Sequence, residues 1–316
     1  MSFGAGRNAA DLDWSDDIPL DEQEARLGWY AFGGLVALTV ICYGNMLKFA
    51  SSYWSNDLYS HGWIVPLIAC YLFWERRRPL AETEPSQRWI GLAVVAVSLG
   101  VRLLASWDNV NFFDRLSFIS VLLGICLMVG GTSLLKWAGP ACGFLVFMFP
   151  LPYQVENTFL IKLLSWASWA STVILQTLGV GAVKIGQSIK IDSLEQPLIV
   201  AEACSGLRML TVFGAMCVAM ALLVDRPWWD RLAILVSAIP IALASNIIRI
   251  VATGLLYIAF PSAQQEGTLH TVIHDGAGYA MMVIGMGLLA LELAILSRLT
   301  IPMEADDHFA AGAATA

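Results

Sequence analysis

Charged side chains are scarce in this sequence of 316 residues: Asp, Glu, Lys and Arg together make up 14%, against 58% for apolar residues. A soluble domain usually carries about 25% charged residues, so the composition excludes an ordinary soluble globular protein. The mean hydropathy of +0.67 points the same way. Because lipid cannot pair exposed backbone groups, we predict an all-α polytopic membrane protein whose helices pack within the lipid bilayer.

Three further features are missing, and each removes a class of protein. No basic surface is evident, because the net charge is −7 and comes largely from 11–24 and 304–307, so no nucleic acid is expected as a partner. The six cysteines are scattered and mostly intramembrane, which argues against a disulfide framework. The acidic N-terminus lacks the basic start and short apolar core of a cleavable signal peptide, so we expect the first span to remain as an anchor.

Apolar runs suited to crossing a bilayer recur along the chain. We predict about eight transmembrane helices, at 28–47, 62–75, 89–105, 116–135, 138–152, 206–224, 231–259 and 275–297. These helices form one membrane domain, 28–298. It lies between an acidic cytoplasmic tail, 1–27, and a tail at 299–316 that we expect to be disordered and cytoplasmic.

The basic residues orient these spans. The positive-inside rule places the densest basic cluster, Arg76 to Arg78, in the cytoplasm. Counting crossings from that cluster puts 153–205 outside. Counting back from Arg298, which follows the last span, puts the start of the span at 206 outside as well. The outer half of the 231–259 span and the start of the last span then lie at the same outer face.

The stretch 158–178 would break this count if it crossed the membrane. One helical face of it carries a polar stripe, formed by Lys162, Ser165, Ser168, Thr172 and Gln176. We therefore predict an interfacial amphipathic helix, with a true crossing that has a polar packing face as the alternative. Alternating apolar and polar residues then predict a short extracytoplasmic β segment within 181–203.

One cysteine differs from the others in its neighbours. Cys204 lies beside Glu202, Ser205 and Arg208, whereas the other five lie in apolar runs, where a thiol behaves as a small hydrophobic group. Gly206 opens a new helix, whose free N–H groups favour an anion. A carboxylate, a hydroxyl and a guanidinium can hold the sulfur as a thiolate. Cys204 is therefore the candidate nucleophile, and a packed thiol at a helix end is the alternative.

Two ionisable groups are candidates to act with this sulfur. Arg249 lies in a nearly uncharged run, with Asn246 on the same helical face. An intramembrane arginine costs at least a few kcal/mol unless it is paired or hydrated, so Arg249 is a candidate to favour the thiolate and an oxyanion. Snorkelling to the outer headgroups is the alternative. His274 is the candidate proton shuttle, and His270 is the backup base.

Other uses of the histidines carry less weight. His270 and His274 have the spacing of a metal-binding pair on one helical face, but no third ligand with matching spacing is evident, so no metal is expected. His61 and Tyr59, at the outer end of the second span, are candidates to line the same outer pocket. They could equally be interface anchors.

Taken in order, these motifs resemble those of the exosortase/archaeosortase family. The resemblance is carried by Glu202–Arg208, by Asn246-x-x-Arg249, and by His274 followed by Gly278. Two more segments are similar to motifs of that family: Ser60-His61-Gly62 and Phe149-Pro150-Leu151-Pro152. Archaeal relatives tend to carry arginine where this chain has His274. The chain therefore resembles the bacterial exosortases more closely, here without a fused C-terminal soluble domain.

This resemblance implies a multi-pass cysteine protease or transpeptidase of the bacterial inner membrane, with its active site facing the periplasm. By the match, its catalytic residues are Cys204, Arg249 and His274, and no cofactor is implied. The substrates are expected to be secreted proteins with a C-terminal sorting signal: a motif such as Pro-Glu-Pro, a transmembrane helix and a basic tail. Related branches act in exopolysaccharide-associated systems.

Two other classes remain open from the residues themselves. A transporter would use Arg249 and His274 as intramembrane substrate contacts, but it should show internal repeats, which the sequence lacks. A non-catalytic subunit of an envelope polysaccharide assembly would tolerate replacement of Cys204.

Overall fold

The structure is a computed structural model that describes residues 18–299, except for 19, 56, 108–110, 201–205, 225–226 and 265–266. The described part contains nine α-helices: α1 Glu22–Cys42, α2 Gly44–Tyr53, α3 Val65–Glu75, α4 Pro85–Trp107, α5 Asn111–Phe144, α6 Tyr153–Thr177, α7 Gly206–Leu223, α8 Trp228–Ala259 and α9 Thr268–Leu299. Short 3-10 helices span Asp57–Trp63, Leu145–Met148 and Pro261–Gln264. Most of the two predicted tails, 1–17 and 300–316, lies outside the described residues.

The predicted class of fold, an all-α polytopic membrane protein, is confirmed. Six helical segments of the described chain are long and apolar enough to cross a membrane: Glu22–Cys42, Pro85–Trp107, Phe112–Met148, Asn157–Thr177, Trp228–Ala259 and Gly276–Leu299. Two more apolar helices are shorter, Val65–Glu75 and Leu210–Leu223. The predicted number of about eight crossings therefore stays a prediction.

Helix α5 is a hairpin of two antiparallel halves rather than one rod. Its backbone leaves the helical region at Gly130 and Gly131, and Gly131 has a φ of 61°, which favours glycine. The sulfurs of Cys126 and Cys142 lie 4.0 Å apart. In a straight helix, 16 residues would separate them by about 24 Å. The fourth and fifth predicted spans thus meet at Gly130–Gly131, and the predicted break near 136–137 is wrong, because the glycine pair supplies the turn.

Small residues allow α4 and α5 to pack closely. A side chain on Gly91 would collide with the backbone of Met128 and with the carbonyl of Gly124. A side chain on Gly124 would in turn meet Val94 and Val95. Close backbone approach at small residues is a common way to hold helices together in lipid, so this pair forms a rigid support for the rest of the bundle.

The predicted β segment is a small antiparallel sheet. Strands β1 Ala182–Ile185, β2 Ser188–Ile191 and β3 Leu198–Ile199 pair in the order β1-β2-β3. Ala182 pairs with Ile191, and Ile189 pairs with Leu198. These four side chains are buried, while the alternate residues Val183 and Ile185 are exposed. The alternation read from the sequence is therefore the alternation of the sheet faces.

The sheet packs on α6, α8 and α9. Its buried side chains belong to one hydrophobic cluster with Leu175 of α6, Ile250 and Tyr257 of α8, and Ile273 of α9. Gly254 of α8 lies directly below it, since a side chain there would contact Ile191 and Leu175. This cluster holds the C-terminal part of α8 and the start of α9 in fixed positions relative to the chain that leads toward residue 201.

Helix α6 turns the central part of its polar stripe, Ser165 to Thr172, toward the protein, while Lys162 and Gln176 at its two ends are exposed. Ser168 and Thr172 are buried, whereas Trp166 and Trp169 are exposed. The stripe makes hydrogen bonds to the β-hairpin: Lys184 Nζ donates to Ser165 Oγ at 3.0 Å, and Gln176 Nε2 donates to the carbonyl of Ala182 at 2.8 Å. An interfacial helix would turn this stripe toward water. Its burial fits the alternative of a crossing with a polar packing face, and the position of the helix in the bilayer stays a prediction.

Candidate active site

Arg249 lies on a buried polar face of α8. Its side chain is only 4% exposed, although most of this helix is apolar. Ser245, Asn246 and Thr253 are also buried, and their spacing of three and four residues places all four on one face of the helix. Buried polar groups nearly always have partners. Within the described part of the chain, neither Asn246 Oδ1 nor Ser245 Oγ has a hydrogen-bond partner.

The polar face of α8 meets α9 at Gly278. A Cβ atom at this glycine would lie 3.6 Å from Nη2 of Arg249, so the guanidinium packs directly against α9. His274 is one turn earlier on the same face, and His270 is one turn before that. The side chains of both histidines lie outside the described residues. The positions that the sequence singled out on α8 and α9 therefore belong to facing surfaces of neighbouring helices.

The predicted nucleophile and part of its motif, Glu202, Cys204 and Ser205, lie outside the described residues. The chain on both sides is described. Val200 is fully buried in the cluster that includes Ile250 and Ile273, which are the sequence neighbours of Arg249 and His274. Beyond the gap, Gly206 starts α7, and Arg208 lies in its first turn; the side chain of Arg208 is not described.

The length of α7 places its start beside the polar face of α8. The two helices pack side by side across the short connection 224–227, which makes them antiparallel. The 18 residues of α7 extend about 27 Å, which brings Gly206 level with the region of Ser245 and Asn246. The described residues on either side of 201–205, Val200 and Gly206, therefore both lie beside the helix that carries Arg249.

His61 lines a neighbouring cavity of about 340 Å³. Tyr59 shares this cavity, together with Phe149, Phe159 of α6 and Thr211 of α7. Tyr59 and His61 thus line one cavity, which the second turn of α7 also borders. Their predicted place in the pocket of Cys204, Arg249 and His274 stays a prediction. Phe159 is 51% exposed, so the cavity opens toward the surface of the bundle between α6 and α7.

Buried hydrogen bonds hold the loop after α5, the Phe149–Pro152 motif, in place beside this cavity. Arg115, only 8% exposed, donates from its Nη1 to the carbonyl of Pro150 at 2.8 Å. Leu151 N donates to Tyr59 Oη at 3.3 Å, and Trp54 Nε1 donates to the carbonyl of Met148 at 2.8 Å. The sequence analysis did not select Arg115 or Trp54. No comparable signal marks Arg115 in the sequence, because it directly follows Asp114 and lies close to the polar stretch 108–111 rather than within an apolar run.

Gly62 has a packing role in the Ser60-His61-Gly62 motif. A Cβ atom there would overlap the indole ring of Trp54, the same ring that hydrogen-bonds to Met148. Gly62→Ala should therefore displace Trp54 and lower the free energy of unfolding by about 1–3 kcal/mol, the usual cost of overpacking. Thermal unfolding in detergent measures the loss. Gly44→Ala is the matched control, because nothing lies within 4 Å of its Cβ position; equal midpoints for the two variants would contradict this role of Gly62.

His61 should make the protein less stable in mild acid. Burial lowers the pKa of His61 below its ordinary value of 6.5, and a hydrogen bond with the backbone of Phe147 partly opposes this. The unfolded chain then binds the proton more readily than the folded protein, so the contribution of His61 to stability is present above pH 6.5 and is lost as the pH falls below it. Thermal midpoints measured from pH 8 to pH 5 should fall more for the wild type than for His61→Gln. If the thermal midpoints of the wild type and of His61→Gln fall equally with pH, the protonation of His61 does not affect stability in this way.

The class of protein follows from the fold: a multi-pass α-helical membrane protein with a buried polar face between α8 and α9. The chain belongs to the transmembrane exosortase family, because the family model described as transmembrane exosortase matches residues 53–291, most of the chain. No curated protein and no solved structure matches it. Membership supports a membrane transpeptidase role in broad terms, and the match includes every position of the Cys204, Arg249 and His274 motifs.

Proposed function

We propose that this protein is a cysteine transpeptidase or protease that cleaves the C-terminal sorting signals of secreted proteins through a thioester on Cys204. The observation that carries this proposal is the contact between Arg249 and Gly278, which sets a buried guanidinium against the α9 face that bears His274. Val200, next to the gap that contains Cys204, is buried in the same cluster as the neighbours of both residues. We place the site at the periplasmic face of the inner membrane, in agreement with the positive-inside count.

In the proposed reaction, the Cys204 thiolate attacks the carbonyl carbon of the scissile peptide bond. The negative charge that develops on the carbonyl oxygen is stabilised by the Arg249 guanidinium or by the N–H groups at the start of α7. The carbon–nitrogen bond then breaks, and His274 gives a proton to the leaving amine. Water, an amine or a hydroxyl group next attacks the thioester, gives its proton to His274, and releases the thiolate, which restores the starting state. An amine or hydroxyl acceptor makes the reaction a transfer, and water makes it a hydrolysis.

Asn246 is proposed to orient the guanidinium or the peptide. It shares the face of Arg249, is 2% exposed, and its Oδ1 has no hydrogen-bond partner within the described chain. A buried amide oxygen of this kind is costly unless something donates to it. An N–H of a bound peptide is a donor of the right type.

The substrate is proposed to approach through the bilayer. The cavity beside His61 opens between α6 and the second turn of α7, and its walls are mostly apolar. A substrate's transmembrane helix can dock against such a surface while its sorting motif reaches the start of α7. The basic tail of the sorting signal then stays on the cytoplasmic side, as the positive-inside rule requires.

The direct test is to co-produce this protein with a secreted reporter that ends in a Pro-Glu-Pro motif, an apolar helix and a short arginine-rich tail. Mass spectrometry of the reporter should show a new C-terminus at the motif only when this protein is present. A reporter whose motif is replaced by alanines serves as the matched control and should stay full-length. Unprocessed reporter in every case would contradict the proposed substrate class.

A second measurement separates an enzyme from a transporter or an assembly subunit. A membrane-impermeant thiol reagent, added from the outside at a series of pH values, should label Cys204 at a pH below the ordinary thiol pKa of about 8.5. A transporter or a subunit without catalytic function has no need of an activated thiolate. If Cys204 is labelled only above pH 8.5, it is not an activated thiolate, and its proposed role as the nucleophile is contradicted.

A further inference from the structure

A second cavity, of about 430 Å³, lies at the other end of the bundle. Trp29 of α1, Phe73 and Trp74 at the end of α3, and Arg77 and Arg78 just after α3 line it. His61 precedes α3 whereas these arginines follow it, so this helix separates the two cavities. The arginines are those that the positive-inside rule places in the cytoplasm, and no step of the proposed reaction uses them.

The arginines of this cavity are suited to an anion. The guanidinium of Arg77 stacks on the ring of Trp74, with its carbon 3.7 Å from the ring centroid. This cation–π contact holds the planar group in one orientation. A guanidinium presents paired N–H donors that match the oxygens of a phosphate. Arg78 adds a second guanidinium to the same cavity.

A rigid aromatic wall forms the rest of the cavity. Trp29 makes edge contacts with Phe32 and Phe73, with ring centroids 5.8 and 6.2 Å apart. Phe73 also packs on Trp137, at 5.0 Å between centroids, and Trp137 is 2% exposed. Because these rings lock one another in place, the cavity is already formed without a ligand.

The surface that leads away from this cavity is apolar and uncovered. Trp74 is 61% exposed, and Tyr71 and Leu67 lie one and two turns along the same face of α3, with exposures of 53% and 70%. Tyr30 of α1, beside Trp29, is 77% exposed. A molecule with an anionic head and a hydrocarbon chain would fit both parts: its head between the arginines and its chain along α3.

We infer that this cavity binds the headgroup phosphate of an anionic phospholipid from the cytoplasmic leaflet, with one acyl chain lying along the exposed face of α3. Basic pockets at the cytoplasmic ends of transmembrane helices are suited to such lipids, because the leaflet itself supplies the negative headgroups. The two arginines provide the charge, and the aromatic wall provides the contact with the glycerol and the upper part of the chain.

The acidic N-terminal segment is the competing occupant. Glu82 N donates to the carbonyl of Ile18 at 2.8 Å, and Leu20 N donates to that of Leu80 at 3.0 Å. Ile18 therefore lies beside the chain that follows Arg78, and the acidic residues Asp16 and Asp17, which precede it in the sequence, lie outside the described residues. An acidic peptide would use the guanidinium groups but would leave the apolar face of α3 uncovered, and for this reason the lipid is favoured.

The test uses the full chain in mild detergent, titrated with dioleoyl-phosphatidylglycerol or dioleoyl-phosphatidylcholine and followed by native mass spectrometry. We expect the anionic lipid to bind at least about tenfold more tightly than the zwitterionic one, as two charge-assisted contacts would give. The double variant Arg77→Ala/Arg78→Ala should lose this preference. The double variant Arg26→Ala/Arg88→Ala removes the same charge from residues that do not line the cavity, and it should keep the preference.

Three outcomes would overturn the inference. Equal binding of the two lipids by the wild type would show that the cavity does not recognise the net negative charge of the headgroup, since both headgroups carry a phosphate. If both double variants lose the preference for phosphatidylglycerol equally, the preference is a general effect of surface charge. Phosphatidylglycerol binding that appears only after residues 1–17 are deleted would assign the cavity to the N-terminal segment. Arg77 is exposed and Arg78 is half-buried, so thermal unfolding of each variant checks that it is folded.

Discussion

Cys204→Ala should leave the sorting-signal reporter entirely uncut, with a loss of activity of about 10³-fold or more. A nucleophile that forms the covalent intermediate has no substitute in its site, and removal of such a group is among the most damaging changes known in enzymes. The measurement is the fraction of reporter with a new C-terminus, read by mass spectrometry over time. The variant should still insert in the membrane at wild-type levels, because the change only replaces the SH group by a hydrogen atom.

The remaining cysteines supply the control. Cys42 and Cys70 are exposed on the apolar surface of α1 and α3, and their replacement by alanine should leave processing unchanged. Full processing by the Cys204→Ala variant would end the proposal of a thioester. Equal losses in all three variants would instead point to a general effect of thiol removal.

Arg249→Lys should reduce processing by about 10² to 10³-fold, the usual effect of removing one group that stabilises an oxyanion. A lysine keeps the charge, but it cannot offer the planar pair of N–H donors that a guanidinium presents. The substitution also withdraws the group that packs against Gly278 of α9. The reporter assay measures the loss, and thermal unfolding measures any change in stability.

Arg231→Lys is the matched control for this prediction. Arg231 lies near the start of the same helix, far from the polar face at Ser245 and Asn246. Its replacement should leave the rate within about twofold of the wild type, because lysine keeps the charge and Arg231 lies far from the proposed reacting groups. Its Nε is buried, so thermal unfolding of this variant measures any cost in stability. A wild-type rate for Arg249→Lys would mean that only a positive charge is needed, and the role assigned to the planar group would be withdrawn.

Part of the site was predictable because the relevant signals are local. An arginine within an apolar run, a cysteine among polar neighbours and an Asn-x-x-Arg spacing are all visible in the sequence. Counting the membrane crossings from the basic cluster then predicts which ends of the spans lie on the same side of the membrane. The contact of Arg249 with Gly278 agrees with the placement of the α8 and α9 motifs on one side. Cys204 lies outside the described residues, so its place in the site stays a prediction.

Other features required knowledge of which segments pack together. The polar stripe of α6 has the same periodicity whether it faces water or protein, and only its hydrogen bonds with Lys184 and Ala182 show that it faces the β-hairpin. Likewise, no local pattern indicates that Arg115 donates to Pro150, 35 residues away along the chain. Such pairs depend on the approach of distant segments.

The sequence by itself determined that this protein is a helical membrane protein with three short strands, because hydrophobic runs and alternation reflect each segment's own surroundings. It also supplied the family motifs. Only the tertiary structure decided that α5 folds back at Gly130 and Gly131, that α6 buries the central part of its polar stripe, and that the arginines after α3 border an aromatic cavity. The physical reason is that periodicity identifies the faces of a segment, whereas the surface that each face meets is fixed by contacts with distant parts of the chain.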